Sequence, residues 1–170
     1  MSTATLILDA VQTRQKIKRI AYEIYENNPK EKEIFLAGIY DKGYQFAILL
    51  KSELEQISPF KVTLIKVELD KLTPQQGAIS LDIDTKLLKN KTIILLDDVL
   101  NTGKTMAYSL KPFLNVAIKR LQTAVIVDRA HKNFPISADF VGYSLSTTLH
   151  QNIECILDDE TKLGVYINQG

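Results

Sequence analysis

The feature that most constrains the fold is a continuous apolar run at residues 92–96, which two acids follow directly. A strand that is apolar along its whole length, instead of at alternate positions, is typical of a sheet covered on both faces. The adjacent carboxylates of Asp97 and Asp98 are costly to bury unless each has a partner. The run therefore predicts a central strand whose end presents two acids to a ligand.

Predicted strands alternate with predicted helices through most of the chain. Asp9 can cap a first helix, in which Ile17, Ile20, Ala21 and Ile24 fall at helical spacing. Strands are expected at residues 34–38, 62–69, 92–96, 123–127, 140–142, 153–157 and 164–167, and further helices at 44–57 and 104–115. The candidate apolar positions of the helix at 44–57 are Phe46, Ile48, Leu49, Leu50 and Leu54. The alternation predicts one α/β domain over residues 1–170, with a mainly parallel sheet flanked by helices.

The composition narrows the classes of partner and compartment. The net charge of +1 provides no overall field that would attract nucleic acid or an anionic membrane. The single cysteine, Cys155, allows no disulfide within the chain, which fits a reducing compartment. We see no signal peptide, and no apolar run approaches the roughly 20 residues that cross a bilayer. We therefore expect a cytoplasmic protein without a membrane partner.

The loop after the acids combines hydroxyl groups, a glycine and a lysine, and it leads into a predicted helix. Backbone N–H groups at a helix start favour an anion, and a glycine lets the backbone approach a ligand closely. The residues of this candidate phosphate loop are Asn101, Thr102, Gly103, Lys104 and Thr105. The segment thus predicts a phosphate site next to an acid pair, suited to a ligand with a phosphate at one end and hydroxyl groups or a bound cation nearby.

The same residues allow two other interpretations. Residues 103–105 match the end of a nucleoside-triphosphate P-loop, but that motif needs a glycine at the position of Asp98, where a carboxylate would repel a triphosphate. Alternatively, the acids have only a structural role, and one of them caps the following helix. That explanation accounts for the acid pair but leaves the hydroxyl- and glycine-rich loop unexplained.

Residues 94–105, ILLDDVLNTGKT, resemble the phosphoribosyl-diphosphate (PRPP) signature of type I phosphoribosyltransferases. Further segments are similar to one branch, the pyrimidine-operon regulator/uracil phosphoribosyltransferase (PyrR) family. They lie at residues 7–9, 19–21, 36–39, 125–131, 134–136 and 138–142. The resemblance implies the type I phosphoribosyltransferase fold, with a small hood beside the central sheet. It also implies a phosphoribosyltransferase, which transfers the phosphoribosyl group of PRPP to a nucleobase and releases diphosphate. Uracil is the first choice of base.

By the same resemblance, Asp97 and Asp98 would bind the ribose hydroxyl groups, and the phosphate loop would hold the 5′-phosphate. The diphosphate loop would consist of Tyr40, Asp41, Lys42 and Gly43. Arg129 and His131 lie in a segment that the family places beside the base, and they would bind the nucleobase or contact the diphosphate. Mg²⁺ would be bound mainly through PRPP, with no dedicated metal ligands in the protein. A homodimer or larger assembly is also expected from the family.

The chain departs from the family at two places. Active members carry an arginine in a mobile flap, whereas residues 70–79 contain only Lys71 as a substitute, and lysine cannot make a bidentate guanidinium contact. The chain could therefore bind PRPP without turning it over. A catalytically weakened nucleotide-binding domain is accordingly one alternative to an active enzyme. The second departure concerns RNA, because the regulatory branch binds messenger RNA through basic residues.

Several of those basic positions are changed in this chain. Tyr22 stands where that branch tends to carry histidine, and Ser137 and Tyr143 stand where it tends to carry arginine and lysine. His131 and Lys132 keep the basic character of their positions. RNA affinity depends heavily on neutralising phosphates, so these losses disfavour tight RNA binding. A cluster on the first helix, formed by Lys16, Lys18 and Arg19, fits a solvated face. An RNA- or nucleotide-binding regulator of pyrimidine genes remains the other alternative.

Overall fold

A six-stranded, mostly parallel sheet occupies the middle of the computed structural model, which describes residues 3–75 and 77–170. Its strands are β2 (Glu33–Ile39), β3 (Lys61–Glu68), β4 (Ser80–Leu81), β5 (Thr92–Leu100), β6 (Arg120–Asp128) and β7 (Phe140–Ser144). They lie in the order β4-β3-β2-β5-β6-β7, and all neighbours are parallel except β3 and the short β4. The predicted α/β class and mainly parallel sheet are confirmed.

A second, smaller sheet joins the two ends of the chain, and we call it the hood. It consists of β1 (Thr5–Leu8), β8 (Gln151–Ile156) and β9 (Gly164–Gln169), which pair antiparallel in the order β1-β9-β8. Cys155 and Val165 of the hood are buried in the same apolar cluster as Leu96 and Val99 of β5. The hood is therefore packed directly beside the carboxyl-terminal part of the central strand, as the family resemblance implied.

Two long helices, α1 (Ala10–Asn27) and α2 (Lys42–Ile57), cover one face of the sheet. Asp9 caps α1 in a reciprocal capping box with Gln12, which satisfies two orphan donors at the helix start. The four predicted core positions of α1 are all buried. In α2 the prediction was wrong for Ile48, which is 47% exposed because Phe46, Ala47, Leu50 and Leu54 form the buried face.

Strand β5 divides the core into two layers. Ile94 and Leu96 pack toward α1 and α2, whereas Ile93 and Leu95 pack toward the opposite layer. That second layer contains a 3₁₀ helix (Thr85–Leu88), α3 (Lys104–Ser109) and α4 (Lys111–Leu114). Each of these four β5 side chains is fully buried, which stabilises the fold by about 1.5–3 kcal/mol per side chain. Both faces of β5 are covered, as its unbroken apolar run predicted.

Two local predictions were wrong in their boundaries. Strand β5 does not end before the acids, because pairing with β6 continues to Leu100, so Asp97 and Asp98 lie inside the strand. The single helix expected at residues 104–115 is split into α3 and α4 at Leu110. Pro112 lacks the N–H that would continue the helical hydrogen bonding, which explains the break. Within the described residues, no helix combines the length and apolar character needed to span a membrane.

Candidate functional site

A small cleft of about 110 Å³ opens where β5 ends, and it brings together three of the predicted groups. The acid pair lines one part of it, and the whole phosphate loop, residues 101–105, lines another. Lys71 reaches the cleft from the connection between β3 and β4. The carboxyl ends of the parallel strands thus form the site, as is general for open α/β sheets.

Asp97 is a buried carboxylate, and its side chain is 7% exposed. Its Oδ1 accepts a hydrogen bond from the backbone N–H of Asp98 at 2.9 Å and lies 3.7 Å from the Lys71 ammonium nitrogen. Burial, together with the neighbouring charge of Asp98, raises the pKa of Asp97 well above its ordinary value, and Lys71 opposes this rise. A ligand that adds hydroxyl donors or a cation here would stabilise the ionised form.

The phosphate loop is held from behind by residues 133–136. The carbonyl oxygen of Thr102 accepts hydrogen bonds from the N–H groups of Asn133 and Phe134, at 2.9 and 3.1 Å. Gly103 has a φ of 85°, and a Cβ at this position would lie 2.5 Å from Cγ2 of Ile136. A glycine is therefore required for both conformation and space. The N–H groups of Thr102 and Gly103 donate no hydrogen bond within the described residues, so they are available to an anion.

The diphosphate loop, residues 40–43, lies against the acid pair through Gly43. A Cβ on Gly43 would meet the carbonyl oxygen of Leu96 at 2.6 Å and Oδ1 of Asp97 at 3.3 Å. The Lys42 ammonium nitrogen lies 3.8 Å from Oε1 of Glu154 in the hood. Asp41 accepts a hydrogen bond from Gln45, and the peptide bond between Tyr40 and Asp41 is cis. The loop and the acid pair are thus neighbours.

The four residues of the diphosphate loop do not line the 110 Å³ cleft itself. Tyr40, which is 48% exposed, borders a shallow hollow of about 380 Å³ together with Asp70 and Ser80. The ammonium nitrogen of Lys66 lies 5.2 Å from the ring centre of Tyr40 and 5.2 Å from that of Tyr44. Lys42 and Lys66 thus bring positive charge to this loop, and no motif in the sequence marks Lys66.

The connection between β3 and β4, which we call the flap, comprises residues 70–79, of which Gln76 lies outside the described residues. The Asp70 carboxylate accepts hydrogen bonds from the Thr73 hydroxyl and from the N–H groups of Leu72 and Thr73. These hydrogen bonds lower the pKa of Asp70, and the bond from the Thr73 hydroxyl has the largest effect. They close a tight turn that presents Lys71 to Asp97. The predicted substitute lysine therefore does reach the acid pair.

Arg129 and His131 follow β6, as predicted, and both contact the segment that enters the hood. The Arg129 guanidinium donates to Oγ1 of Thr147 at 2.8 Å, to the carbonyl oxygens of Thr148 and Gln151 at 3.3 and 2.5 Å, and to Oδ1 of Asn101 at 2.9 Å. Burial lowers the pKa of Arg129. His131 Nε2 lies 2.6 Å from the carbonyl oxygen of Thr147 and donates to it.

Sequence reasoning missed residues 147–151 as part of this site, because no local motif marks them. Neither Arg129 nor His131 lines the 110 Å³ cleft. Their polar groups instead join β6, the phosphate loop and the hood. The structure thus places both residues beside the site.

The positions that bear on RNA binding lie at or near the protein surface. Tyr22 and Ser137 are exposed, and the ammonium nitrogen of Lys16 lies 5.8 Å from the ring centre of Tyr143. Arg19 pairs with Glu23 and also donates to the carbonyl oxygens of Val141 and Gly142. Part of the basic cluster on α1 is therefore engaged within the protein.

Known proteins match this chain over nearly its whole length. The family description "Phosphoribosyl transferase domain" matches residues 4–159. The bifunctional protein PyrR of Macrococcus caseolyticus (strain JCSC5402) is 35% identical over 170 residues, covering 95% of this chain and 97% of that protein. The bifunctional protein PyrR of Bacillus pumilus (strain SAFR-032) is 32% identical over 168 residues, covering 94% of this chain and 93% of that protein.

Solved structures show the same fold at lower sequence identity. A hypoxanthine-guanine phosphoribosyltransferase from Bacillus anthracis superposes with a TM-score of 0.73 at 19% identity, covering 97% of each chain. A hypoxanthine phosphoribosyltransferase variant from Trypanosoma cruzi, complexed with the product IMP, gives a TM-score of 0.79 at 14% identity, covering 97% of this chain and 83% of that one. The arrangement of sheet, helices and hood is thus the one that these enzymes share.

Proposed function

The chain belongs to the phosphoribosyltransferase family, within its PyrR branch, and on that premise we propose that it binds PRPP with Mg²⁺ and transfers the phosphoribosyl group to a nucleobase. Uracil is the first choice of base, because the relatives with the highest identities quoted above are PyrR proteins. The single observation that carries the proposal is the cleft that unites the acid pair, the phosphate loop and Lys71.

The two halves of the cleft suit the two ends of a phosphorylated ribose. The phosphate loop would hold the 5′-phosphate, since the free N–H groups of Thr102 and Gly103 can donate to its oxygens, and the Lys104 ammonium adds positive charge. Asp97 and Asp98 would accept hydrogen bonds from the ribose hydroxyl groups. The ligand would thereby supply the donors that the buried Asp97 carboxylate needs.

The proposed reaction is a substitution at the anomeric carbon of the ribose. The bond from this carbon to the diphosphate oxygen breaks, the bond to a base nitrogen forms, and that nitrogen releases its proton to solvent. Positive charge develops on the sugar ring and negative charge on the departing diphosphate. The chain's own residues would position the two reactants and stabilise these charges. In this proposal Asp97 and Asp98 would face the sugar ring, and Lys42 and Lys71 would supply positive charge to the departing diphosphate.

The donor set fits the Mg²⁺ that the family implies. The residues lining the cleft offer carboxylate and hydroxyl oxygens, which are the ligands preferred by a hard cation, and no thiol or imidazole. No group of three or more metal-binding side chains occurs within the described residues, so PRPP oxygens would provide most of the ligands. Asp97 and Asp98 are the carboxylates that would lie beside the ion. When bound, Mg²⁺ neutralises part of the charge of the diphosphate.

The base is proposed to lie on the side of the cleft near Arg129 and His131, where β6 meets the hood. This places it next to the phosphate loop, since Arg129 contacts Asn101. The flap would cover the diphosphate and exclude water. Lys71 would substitute for the family's flap arginine, and it could supply charge but not a paired contact. A catalytically weakened nucleotide-binding domain is therefore the second candidate, and it shares the PRPP site with the first.

Calorimetric titration with PRPP, with and without Mg²⁺, tests the site. The unaltered chain should bind PRPP in a Mg²⁺-dependent manner, and the variant with both Asp97→Asn and Asp98→Asn should lose this binding while its circular dichroism spectrum is retained. A matched control is Asp84→Asn, which removes a carboxylate that caps the 3₁₀ helix, outside the cleft. Unchanged PRPP affinity in the double variant would show that the site is elsewhere.

An RNA- or nucleotide-binding regulator of pyrimidine genes is the third candidate, and the double role in the relatives' name favours it. Its affinity for structured RNA should fall steeply with salt, because phosphate contacts dominate such binding. Tyr22, Ser137 and Tyr143 stand at positions where the regulatory branch tends to carry basic residues, so RNA binding should be weak. A tight, salt-dependent mobility shift would favour the regulator.

We also propose a homodimer or larger assembly, to be measured by sedimentation equilibrium.

A further inference from the structure

We propose that Arg129 is a positioning residue that fixes the phosphate loop to the segment entering the hood, and that it does not itself contact the base. This proposal rests on the proposed function, because positioning has meaning only for a loop that holds a phosphate. The structure places the Arg129 guanidinium between two segments that are distant in sequence, residue 101 and residues 147–151.

The hydrogen bonds of Arg129 leave little capacity for reading a base. A guanidinium has five N–H donors in a rigid fork. Four hydrogen bonds to protein acceptors are formed, one from Nε, one from Nη1 and two from Nη2. A bidentate contact with a base edge would need two parallel donors from one side of the fork. Because Nη2 and Nε are both engaged with the hood segment, such a contact would require existing bonds to break.

Two of the three acceptors of Arg129 in residues 147–151, the carbonyl oxygens of Thr148 and Gln151, belong to one tight turn. Gln151 donates its N–H to the carbonyl oxygen of Thr148 at 3.2 Å, and the N–H of Thr148 donates to Oε1 of Gln151 at 3.0 Å. Arg129 binds the carbonyl oxygens at both ends of this turn. His131 adds a parallel bond to Thr147. The turn is thus fastened to the end of β6, and strand β8 begins at Gln151.

The opposite end of the Arg129 network reaches the phosphate loop. Nη1 donates to Oδ1 of Asn101, the first residue of the loop, and the backbone N–H of Arg129 donates to the carbonyl oxygen of Leu100 at 3.0 Å. Strand β8 also carries Glu154, which pairs with Lys42 of the diphosphate loop. A chain of contacts therefore runs from the phosphate loop through Arg129 to the hood and on to the diphosphate loop. Both ends of PRPP would depend on this spacing.

Arg120 offers a matched control, because it stands at the opposite end of the same strand. Its guanidinium donates to the carbonyl oxygen of Asn27 and to Oδ1 of Asn28, and it has no contact with the cleft residues. Arg120→Gln removes a comparable link between β6 and a neighbouring segment. It should change stability without changing the geometry of the site.

A double-mutant cycle between Arg129→Gln and Asn101→Ala, read as PRPP affinity in the presence of Mg²⁺, tests the proposal. Arg129→Gln should weaken PRPP binding about tenfold, in keeping with the loss of a hydrogen bond from a charged group. The double variant should be no weaker than the weaker-binding single variant, because both changes remove the same link. The PRPP affinity of Arg129→Lys should lie between those of the unaltered chain and Arg129→Gln, since lysine keeps the charge but not the forked guanidinium. Arg120→Gln should bind PRPP as the unaltered chain does.

Hydrogen exchange gives a readout that is independent of PRPP. Arg129→Gln should speed amide exchange at both Thr148 and Gln151, while Arg120→Gln leaves these amides unchanged. If the unaltered chain fails to bind PRPP, the proposed function fails, and exchange still decides whether Arg129 fastens the turn. Additive effects in the cycle, unchanged PRPP affinity in Arg129→Gln, or unchanged exchange at residues 148 and 151 would each overturn the positioning role.

Discussion

Replacing Asp97 by asparagine should stabilise the fold at neutral pH while it weakens the binding of PRPP. The Asp97 side chain is 7% exposed, and burial together with Asp98 raises its pKa above the ordinary value of 3.8. The ionised carboxylate is therefore the unfavourable form in the folded chain. Asparagine has nearly the same shape, and its Oδ1 can still accept the hydrogen bond from the N–H of Asp98.

The expected size of this stability gain follows from the partners of the Asp97 carboxylate. Burial of an ion costs an effective several kcal/mol, and the ion pair with the half-exposed Lys71 offsets at most about 1 kcal/mol of that cost. Partial exposure of Asp98 and local relaxation reduce the net penalty further. We therefore expect Asp97→Asn to raise the free energy of unfolding by about 1–2 kcal/mol. For a domain of this length this corresponds to an increase in Tm of about 2–8 °C.

Thermal and urea unfolding between pH 4 and pH 8 measure this effect. A carboxyl group whose pKa is raised on folding lowers stability above the folded pKa, and this penalty disappears as the pH falls toward 3.8. The stability gain of Asp97→Asn should thus be largest at pH 8 and shrink with acid. Asp98→Asn is the control and should give a smaller gain, since Asp98 is partly exposed. A variant that melts below the unaltered chain at pH 8, or a gain that is independent of pH, would refute the reasoning.

Three further outcomes are expected. Gly43→Ala should lower the free energy of unfolding by about 1–3 kcal/mol, because its Cβ would lie 2.6 Å from the backbone oxygen of Leu96. The control Gly77→Ala has no described atom within 4 Å of the new Cβ, so it should change the free energy of unfolding by less than about 0.5 kcal/mol. Equal stability losses for the two variants in urea titrations would contradict the close approach of Gly43 to Leu96. Burial raises the pKa of Cys155, so this thiol should react with a disulfide reagent slowly in the native protein and quickly in urea; fast native reaction would contradict its burial. Crystals grown with ample sulfate should hold an anion against residues 102–105, and a loop turned away from the cleft without an anion would count against the phosphate site.

The main sheet and the acid pair were predictable because their signals are local. The unbroken apolar run at residues 92–96 indicated a strand covered on both faces, and β5 does divide two core layers. The capping box at Asp9 likewise depends on residues three apart. Both features follow from side-chain types and spacing alone, so they can be recognised before any packing is known.

The misjudged boundaries reflect contacts between distant parts of the chain. Strand β5 extends through the acids because β6 supplies partners as far as Asp128, which no property of residues 97–100 announces. The order of strands in the hood likewise depends on pairing between the two ends of the chain. The break before α4 was different, since Pro112 is a local signal that was available in the sequence.

The environment of Arg129 shows why residue type alone does not define a role. The sequence places an arginine after a buried strand, where it suits a base or a diphosphate. Its partners lie at residues 101 and 147–151, and only the folded chain brings them to one guanidinium. The identity of the residue was informative, whereas its function depends on which acceptors surround it.

Release of diphosphate in the presence of PRPP, Mg²⁺ and each nucleobase in turn tests the central claim most directly. The account predicts release that depends on the base, is fastest with uracil, and is abolished by the combined Asp97→Asn and Asp98→Asn variant. Formation of the matching nucleoside monophosphate should equal the diphosphate released. PRPP binding without release for any base would contradict the transferase function and leave a nucleotide-binding domain.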